Sequence, residues 1–134
     1  MIIVLDTNIW ISLALNQQLD FIEILNSKEI VIASCDQLLD ELVTVLLRPK
    51  FRKYFSNNHI EDLVHFHELT TILFKVSNIT QVVTDEKDNY LFALCKSAKA
   101  DYFITGDKLL LNVDKYDNSS IITLSTFKTI FESL

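Results

Sequence analysis

Four short apolar runs, separated by longer amphipathic stretches, constrain the fold of this chain more than any other feature. The runs are IIVLD at residues 2–6, EIVIAS at 29–34, DYFIT at 101–105 and SSIITL at 119–124. Continuous β-branched runs of this length are typical of strands that are buried on both faces, as in parallel sheets. We therefore expect an α/β fold with a central, mostly parallel β-sheet that is covered by helices on both faces.

The stretches between the runs have helical periodicity. The residues DTN at 6–8 can cap a first helix, and either Ser34 or Asp36 can cap a leucine-rich helix that Pro49 ends or that gives way there to a new short helix. Asp85 is a plausible cap of a later helix. Further helical patterns cover residues 19–27, 57–76, 85–100, 107–113 and 125–134.

Length and composition favour one globular domain over residues 1–134. The chain has 49% hydrophobic and 22% charged residues, with a single glycine and a single proline, and no linker divides it. The net charge of −6 argues against a protein that holds nucleic acid by charge alone. Without a basic leader or an apolar stretch near the ~20 residues of a membrane span, we expect a cytoplasmic protein with no membrane partner. Cys35 and Cys95 are expected to be small buried residues in a reducing compartment.

Four acidic residues are placed to meet at one edge of the predicted sheet. Asp6 ends the first strand and Asp107 follows the DYFIT strand, while Glu41 and Asp88 lie near the starts of two helices. The carboxyl ends of parallel strands form the ligand crevice of such sheets. Clustered carboxylates repel one another, and Mg²⁺ or Mn²⁺ with oxygen ligands would balance them. Such a site suits phosphodiester hydrolysis, because the cation orients and acidifies a water and stabilises charge on the phosphate.

Each acid also has a simpler interpretation. Asp6 and Asp107 can be helix caps, Glu41 can be a solvated helix residue, and Asp88 can complement a helix dipole. The combination of these residue types after these elements is what favours a metal site.

With these residues in place, the sequence resembles the PIN-domain family of metal-dependent nucleases. The resemblance rests on IIVLDTN, QLLDELVTVLLRPKF and DEKDNYLFALCKSAKADYFITGDKLLL, and ELVTVLLRPKF and KADYFITGDKLL are similar to the subgroup of bacterial toxin–antitoxin toxins. It implies an αβα sandwich and a ribonuclease that requires Mg²⁺ or Mn²⁺. Residue by residue, it implies an acidic site of Asp6, Glu41, Asp88 and Asp107, with Asn8 and Thr105 as polar supports.

The loop before the third acid departs from the family pattern. Relatives often read Arg-Asp-Pro there, whereas this chain reads TDEKD. Asp85, Glu86 and Asp88 are therefore all candidates to face the metal, and we favour Asp88 because it lies at the helix start. Asp101 begins a strand, at the edge opposite the metal crevice, and is expected to be structural.

A basic cluster and a histidine pair offer further candidates. Arg48, Lys50, Arg52 and Lys53, interleaved with aromatic residues, either hold RNA phosphates or form a solvated basic face. His65 and His67, next to Glu68, are two residues apart on a helix and should point in different directions, which disfavours a shared metal.

The only glycine, Gly106, lies between Thr105 and Asp107. A turn with positive φ is the usual reason for such a glycine. The alternative is that the missing Cβ lets Asp107 turn toward the metal and lets a phosphate backbone come close.

The resemblance favours a metal-dependent endoribonuclease that is the toxin of a type II toxin–antitoxin pair. Its partners would be RNA and a cognate antitoxin protein, and a homodimer is expected by analogy. The alternatives are an RNA-processing nuclease of the same fold without an antitoxin, and a catalytically inactive RNA- or protein-binding module.

Overall fold

The fold is built on one six-stranded sheet, and the computed structural model describes all residues from 1 to 134. The strand order is β3-β2-β1-β4-β6-β5. Every neighbouring pair is parallel except β5 and β6, so the predicted mostly parallel sheet is confirmed. The strands are β1 (Ile2–Leu5), β2 (Val31–Ser34), β3 (Ile72–Leu73), β4 (Tyr102–Ile104), β5 (Lys115–Tyr116) and β6 (Ser119–Ile122).

Seven α-helices lie between and after these strands in the chain and complete the predicted αβα sandwich. Two 3-10 turns are also present: Pro49–Phe51 follows the third helix with proline at its first position, and Glu86–Asp88 leads into the fifth helix. The helices are α1 (Thr7–Leu15), α2 (Asp20–Ser27), α3 (Asp36–Leu46), α4 (Asn57–Thr70), α5 (Asn89–Ala98), α6 (Lys108–Leu111) and α7 (Leu124–Glu132). None of them has both the length and the hydrophobicity that crossing a bilayer requires.

The central strands β1 and β4 lie side by side, although about a hundred residues separate them. Leu5 pairs with Ile104, and the Asp6 N–H donates to the Ile104 carbonyl at 2.9 Å. All three β1 residues from Ile3 to Leu5 are at most 1% exposed, as expected for a strand covered on both faces. The register therefore brings Asp6 and the residues after β4 to the same edge of the sheet.

The core is one cluster of 31 buried residues around these strands. The largest fully buried side chains include Trp10, Phe92, Phe103 and Phe127. Phe92 and Phe103 meet edge to face at 5.7 Å between ring centroids, an arrangement that adds to the stabilisation from burial. Cys35 and Cys95 are both buried free thiols, as predicted.

The structure corrects several boundaries. The helix predicted over residues 57–76 ends at Thr70, and two of the residues beyond it form β3. The N-cap of α3 is Cys35, without a side-chain capping bond, so neither Ser34 nor Asp36 has that role. The Ser34 hydroxyl instead contacts Nε2 of buried His67 at 3.0 Å. The contact with His67, and not the capping preference of serine, therefore determines the role of Ser34.

Gly106 does not have the positive φ that usually explains a glycine in a turn. A Cβ placed on it would meet no atom within 4 Å, apart from those of its two neighbours in the chain. Neither backbone conformation nor packing within the protein therefore requires glycine here, and the positive-φ interpretation is wrong.

Asp101 has a structural position at the opposite edge of the sheet from Asp6. One of its carboxylate oxygens accepts the Ile2 N–H at 2.8 Å, and its own N–H donates to the Ile2 carbonyl at 2.7 Å. These bonds fasten the start of β4 to the start of β1.

Candidate active site

A polar cavity of about 260 Å³ opens at the carboxyl ends of β1 and β4. Asn8 lies in its wall, together with side chains of both charge signs. Two kinds of charged residue line it: the acids Asp6, Glu41, Asp85, Asp88 and Asp107, and the cations Arg48, Lys50 and Lys87. All four acids predicted from the sequence therefore share this one cavity, the acidic cavity.

Asp6 is held by a short chain of hydrogen bonds that links the ends of two strands. Thr105 Oγ1 donates to Asp6 Oδ2 at 2.7 Å and accepts the Asp107 N–H at 3.0 Å. Asp6 occupies the N-cap position of α1 but makes no side-chain capping bond there. Asp6 is therefore the N-cap of α1 by position only, and its carboxylate accepts a hydrogen bond from Thr105, as a supporting role of Thr105 would require.

Burial disfavours the ionised form of the Asp6 carboxyl group. The side chain is only 5% exposed, and this burial raises the pKa of Asp6 from 3.8 to about 6, against the opposing hydrogen bond from Thr105. The charges of Glu41 and Asp88 raise the pKa further. Burial, followed by the charges of Asp85, Glu41 and Asp107, also raises the pKa of Asp88. These acids therefore lie close enough to repel one another.

Glu41 is positioned by Tyr90, which sequence reasoning missed. The Tyr90 hydroxyl donates a hydrogen bond to Glu41 Oε2, from α5 to α3. Burial and the bond to Glu41 raise the pKa of Tyr90, so the hydroxyl keeps its proton at all ordinary pH values. The available signal was a tyrosine two residues after Asp88, but helical periodicity placed it with the core, where its ring does lie.

Asn89 anchors the residues just before the loop that departs from the family pattern. Its Oδ1 accepts the N–H groups of Val82 and Val83, both at 2.9 Å, and its Nδ2 donates to the Val83 carbonyl at 3.2 Å. Asn89 is 4% exposed and is the first residue of α5. A buried amide at the helix start thus anchors the segment that precedes Asp85.

Both Asp85 and Asp88 line the cavity, whereas Glu86 does not. Asp85 is exposed and lies 3.6 Å from the ammonium group of Lys87. Asp88 is half-buried and has no cationic partner within 4 Å. The geometry therefore favours Asp88 as the more strongly coupled member of the cluster.

Asp107 has two roles. Its Oδ1 accepts the Leu109 N–H at 2.9 Å and caps α6, as its simpler interpretation predicted. Its other oxygen, Oδ2, makes no hydrogen bond, so capping leaves half of the carboxylate available to the cavity.

The donor chemistry fits a hard divalent cation. Asp6 Oδ1, Glu41 Oε1 and Asp107 Oδ2 each lack a side-chain partner, and the Thr7 hydroxyl beside Asp6 is buried with none at all. All are oxygen donors, which Mg²⁺ and Mn²⁺ prefer. As the side chains stand, no three acidic, histidine or cysteine residues converge closely enough to hold an ion.

The predicted basic cluster divides into two halves. Arg48 and Lys50 line the acidic cavity, whereas Arg52 and Lys53 do not. Lys50 lies 5.0 Å from the ring centroid of Phe51, which also lines the cavity. Only the first half of the cluster is therefore placed to contact a substrate of this site.

The histidines form no joint site. His65 is exposed and His67 has no exposed surface, so they point in different directions as predicted. The Trp10 ring meets His67 edge-on at 4.6 Å.

A larger, mostly apolar groove of about 530 Å³ lies between α1, α2 and α4, and none of the four predicted acids lines it. The chemistry of the lining, and not the volume, therefore identifies the acidic cavity as the candidate site.

Comparisons with known proteins agree with this geometry. The family model described as "PIN domain" matches residues 2–109. The structure of PAE2754 from Pyrobaculum aerophilum is similar at a TM-score of 0.69 and 12% identity, over 98% of this chain and 90% of that one. VapBC2 from Rickettsia felis, solved bound to a DNA fragment from its promoter, is similar at a TM-score of 0.63 and 14% identity, over 90% of this chain and 97% of that one. No curated protein matches significantly.

Proposed function

Because the chain belongs to the PIN-domain family, which indicates a nuclease, we propose that it is a Mg²⁺- or Mn²⁺-dependent endoribonuclease. The observation that carries the proposal is the meeting of Asp6 and Asp107 through Thr105, at the cavity that Glu41 and Asp88 also line. A buried carboxylate among other carboxylates is costly unless a cation or a proton balances its charge. The proposal extends over residues 1–134 as one nuclease domain.

The residues have distinct roles in this proposal. Asp6, Asp88 and Asp107 would hold the cation, and Glu41 would serve as a further ligand or as the base that orients the attacking water. The bound cation would supply a water of lowered pKa and would neutralise charge on the phosphate. Thr105 holds the Asp6 carboxylate in place, and Tyr90 holds that of Glu41.

The open space at Gly106 supports a role toward substrate. Because no protein atom lies where its Cβ would be, glycine leaves room beside Asp107 for a phosphate backbone to approach. Asn8, exposed on the wall of the same cavity, is proposed to support the ligands through its amide.

The direct test is cleavage of a labelled RNA with Mn²⁺, with Mg²⁺ and with EDTA. Cleavage should require the divalent cation and should stop when EDTA is added. Cleavage that persists in EDTA would refute the metal-dependent mechanism, and failure to bind Mn²⁺ by calorimetry would favour the inactive binding module instead.

We further propose that the protein is the toxin of a type II toxin–antitoxin pair, acting on RNA in the cytoplasm. The support is the sequence resemblance to that subgroup and the similarity in fold to VapBC2. An antitoxin protein would bind and silence it, and a homodimer is proposed by analogy. The alternative is an RNA-processing nuclease without an antitoxin. Expression alone and together with the product of a small neighbouring gene separates the two, because only a toxin is neutralised by its partner.

Tyr90 is expected to be a positioning residue for Glu41. Tyr90→Phe removes the hydroxyl that donates to Glu41 Oε2 while keeping the buried ring. We expect kcat to fall by about tenfold, the loss of roughly one hydrogen bond to a charged group, with KM little changed. Steady-state kinetics of RNA cleavage measure this split. Tyr102→Phe, in β4, is the matched control, and an equal effect in both variants would contradict a specific role for Tyr90.

Arg48 and Lys50 are expected to contact RNA phosphates. Replacing each with Gln should weaken RNA binding and lower the slope of log affinity against log salt by about 0.7 per contact with single-stranded RNA. Arg52→Gln and Lys53→Gln are matched controls, since neither residue lines the cavity. Titrations at several salt concentrations measure the slope. Equal slopes in all four variants would show that the cluster is only a solvated basic surface.

A further inference from the structure

A second cavity, of about 310 Å³, adjoins the acidic cavity. Asp85 and Asp88 line both cavities, so the two share a wall. The rest of the second cavity is formed by residues 82–84 and by α6 with the residues just after it. Its apolar lining consists of Val82, Val83, Leu109, Leu110 and Val113.

This lining is both apolar and fixed in place. Asn89 accepts hydrogen bonds from the backbone N–H groups of Val82 and Val83, which fixes this side of the cavity. The Leu109 N–H is bound by the Asp107 carboxylate, although the Leu109 side chain is 69% exposed. An exposed leucine is therefore held directly beside the proposed catalytic acids.

The cavity also has polar groups that are free to bind a ligand. Thr84 and Asn112 line it, and their side chains make no hydrogen bond within the protein. An amide offers both donors and an acceptor. The cavity thus combines apolar walls with a few directional polar groups.

We propose that this cavity receives the nucleobase of the nucleotide next to the phosphate held in the acidic cavity, so that it selects the RNA sequence that is cut. The inference rests on the proposed nuclease function. Bases have apolar faces that pack on hydrophobic side chains and polar edges that an amide can read. The apolar residues would contact the faces, and Asn112 would contact an edge.

Charge decides which part of the substrate enters which cavity. Arg48 and Lys50 line only the acidic cavity, so they draw phosphates there. The second cavity has no cation that could attract a phosphate, and most of its lining is apolar. An uncharged base is therefore the part of a nucleotide that fits it, and the shared wall places that base beside the reacting phosphate.

The test compares RNA hexanucleotides that differ in one base next to the cleaved bond. The variants are Leu109→Gln and Asn112→Ala, and the control is Leu69→Gln, an equally exposed leucine at 71% that lines neither cavity. For Leu109→Gln we expect kcat/KM to fall about tenfold, mainly through KM, as for the loss of one base contact. For Asn112→Ala we expect the preference among the four bases to flatten, and for the control no change.

A second readout is independent of cleavage. Nucleoside 5′-monophosphates, added without divalent cation, should shift the NMR signals of Leu109 and Val113 but not those of Leu69. If the wild type cleaves RNA and both variants cleave it with unchanged kinetics, the assignment of this cavity to a base is wrong, but the proposed nuclease function stands. A wild type that cleaves no RNA would overturn the proposed function together with it. An apolar protein side chain found in the cavity, with base preference unaffected, would assign it to a protein partner instead.

Discussion

Asp6→Asn is expected to abolish metal-dependent RNA cleavage and, at neutral pH, to stabilise the metal-free protein. Asn keeps the size of the side chain and can still accept the hydrogen bond from Thr105, but it is a much weaker ligand for a hard cation. We expect the rate to fall by about 10³-fold or more, as for the loss of several kcal/mol of transition-state stabilisation. Cleavage assays with Mn²⁺ measure the first effect.

The gain in stability follows from the raised pKa of Asp6. Because the folded carboxyl has a pKa of about 6 against 3.8 for an ordinary aspartate, the folded state binds the proton more tightly. The free energy of unfolding therefore falls as pH rises from 3.8 to 6 and stays lower above that, by about 3 kcal/mol at most. Asn removes this penalty, so the variant should gain stability at pH 7.5 and lose the advantage near pH 4.

Urea unfolding in EDTA at the two pH values measures this gain. Asp107→Asn is the matched control, because its carboxylate is less buried and caps α6. That variant should lose cleavage without becoming more stable. An Asp6→Asn protein that is less stable than wild type at pH 7.5 would contradict the inference that the ionised Asp6 carboxylate destabilises the metal-free fold.

His67→Gln is expected to remove a large acid sensitivity of the fold. His67 has no exposed surface, and its burial lowers the pKa from 6.5 to about 4. Above pH 6.5 the imidazole is neutral in both the folded and the unfolded state. As pH falls from 6.5 toward 4, it becomes protonated in the unfolded chain but stays neutral in the folded one. The free energy of unfolding should therefore drop by about 3 kcal/mol across this window.

Gln cannot titrate in this range and can still form a hydrogen bond with Ser34. The variant should therefore lose this part of the pH slope, whatever its absolute stability. His65→Gln, on the exposed side of the same helix, is the control and should keep the slope of the wild type. Identical slopes for all three proteins would mean that His67 is not the titrating group.

The two titrations act in opposite directions over nearly the same pH range. Acidification relieves the buried charge of Asp6 and at the same time penalises buried His67. The free energy of unfolding of the metal-free wild type should accordingly change little with pH. In Asp6→Asn it should fall on acidification, because only the effect of His67 remains, and in His67→Gln it should rise, because only the effect of Asp6 remains. The pair of variants thus separates two effects that the native protein partly cancels.

Much of the site could be predicted from sequence because strand ends are easy to recognise. An apolar run followed by an acid places Asp6 and Asp107 at one edge of a parallel sheet without further information. The structure adds that Thr105 joins them, and that the Asp6 side chain makes no capping bond to the helix that it precedes.

The parts that sequence missed depend on contacts between distant segments. The sequence pattern places Tyr90 in the core, where its ring lies, and only the tertiary structure shows that its hydroxyl reaches Glu41 on α3. Lys87 is not among the predicted site residues, although it lines the acidic cavity. The two-residue strands β3 and β5 carry too few residues for a period of two to be visible.

The strand order also has a consequence for biosynthesis. β4 is inserted directly beside β1, and the bond from Thr105 to Asp6 joins residues 99 positions apart. While the ribosome is still making the segment between them, Asp6 has no partner and the cavity lacks the side formed by Asp107. If the protein is the proposed ribonuclease, a nascent chain should be unable to cleave the message that encodes it until β4 has left the exit tunnel and paired with β1.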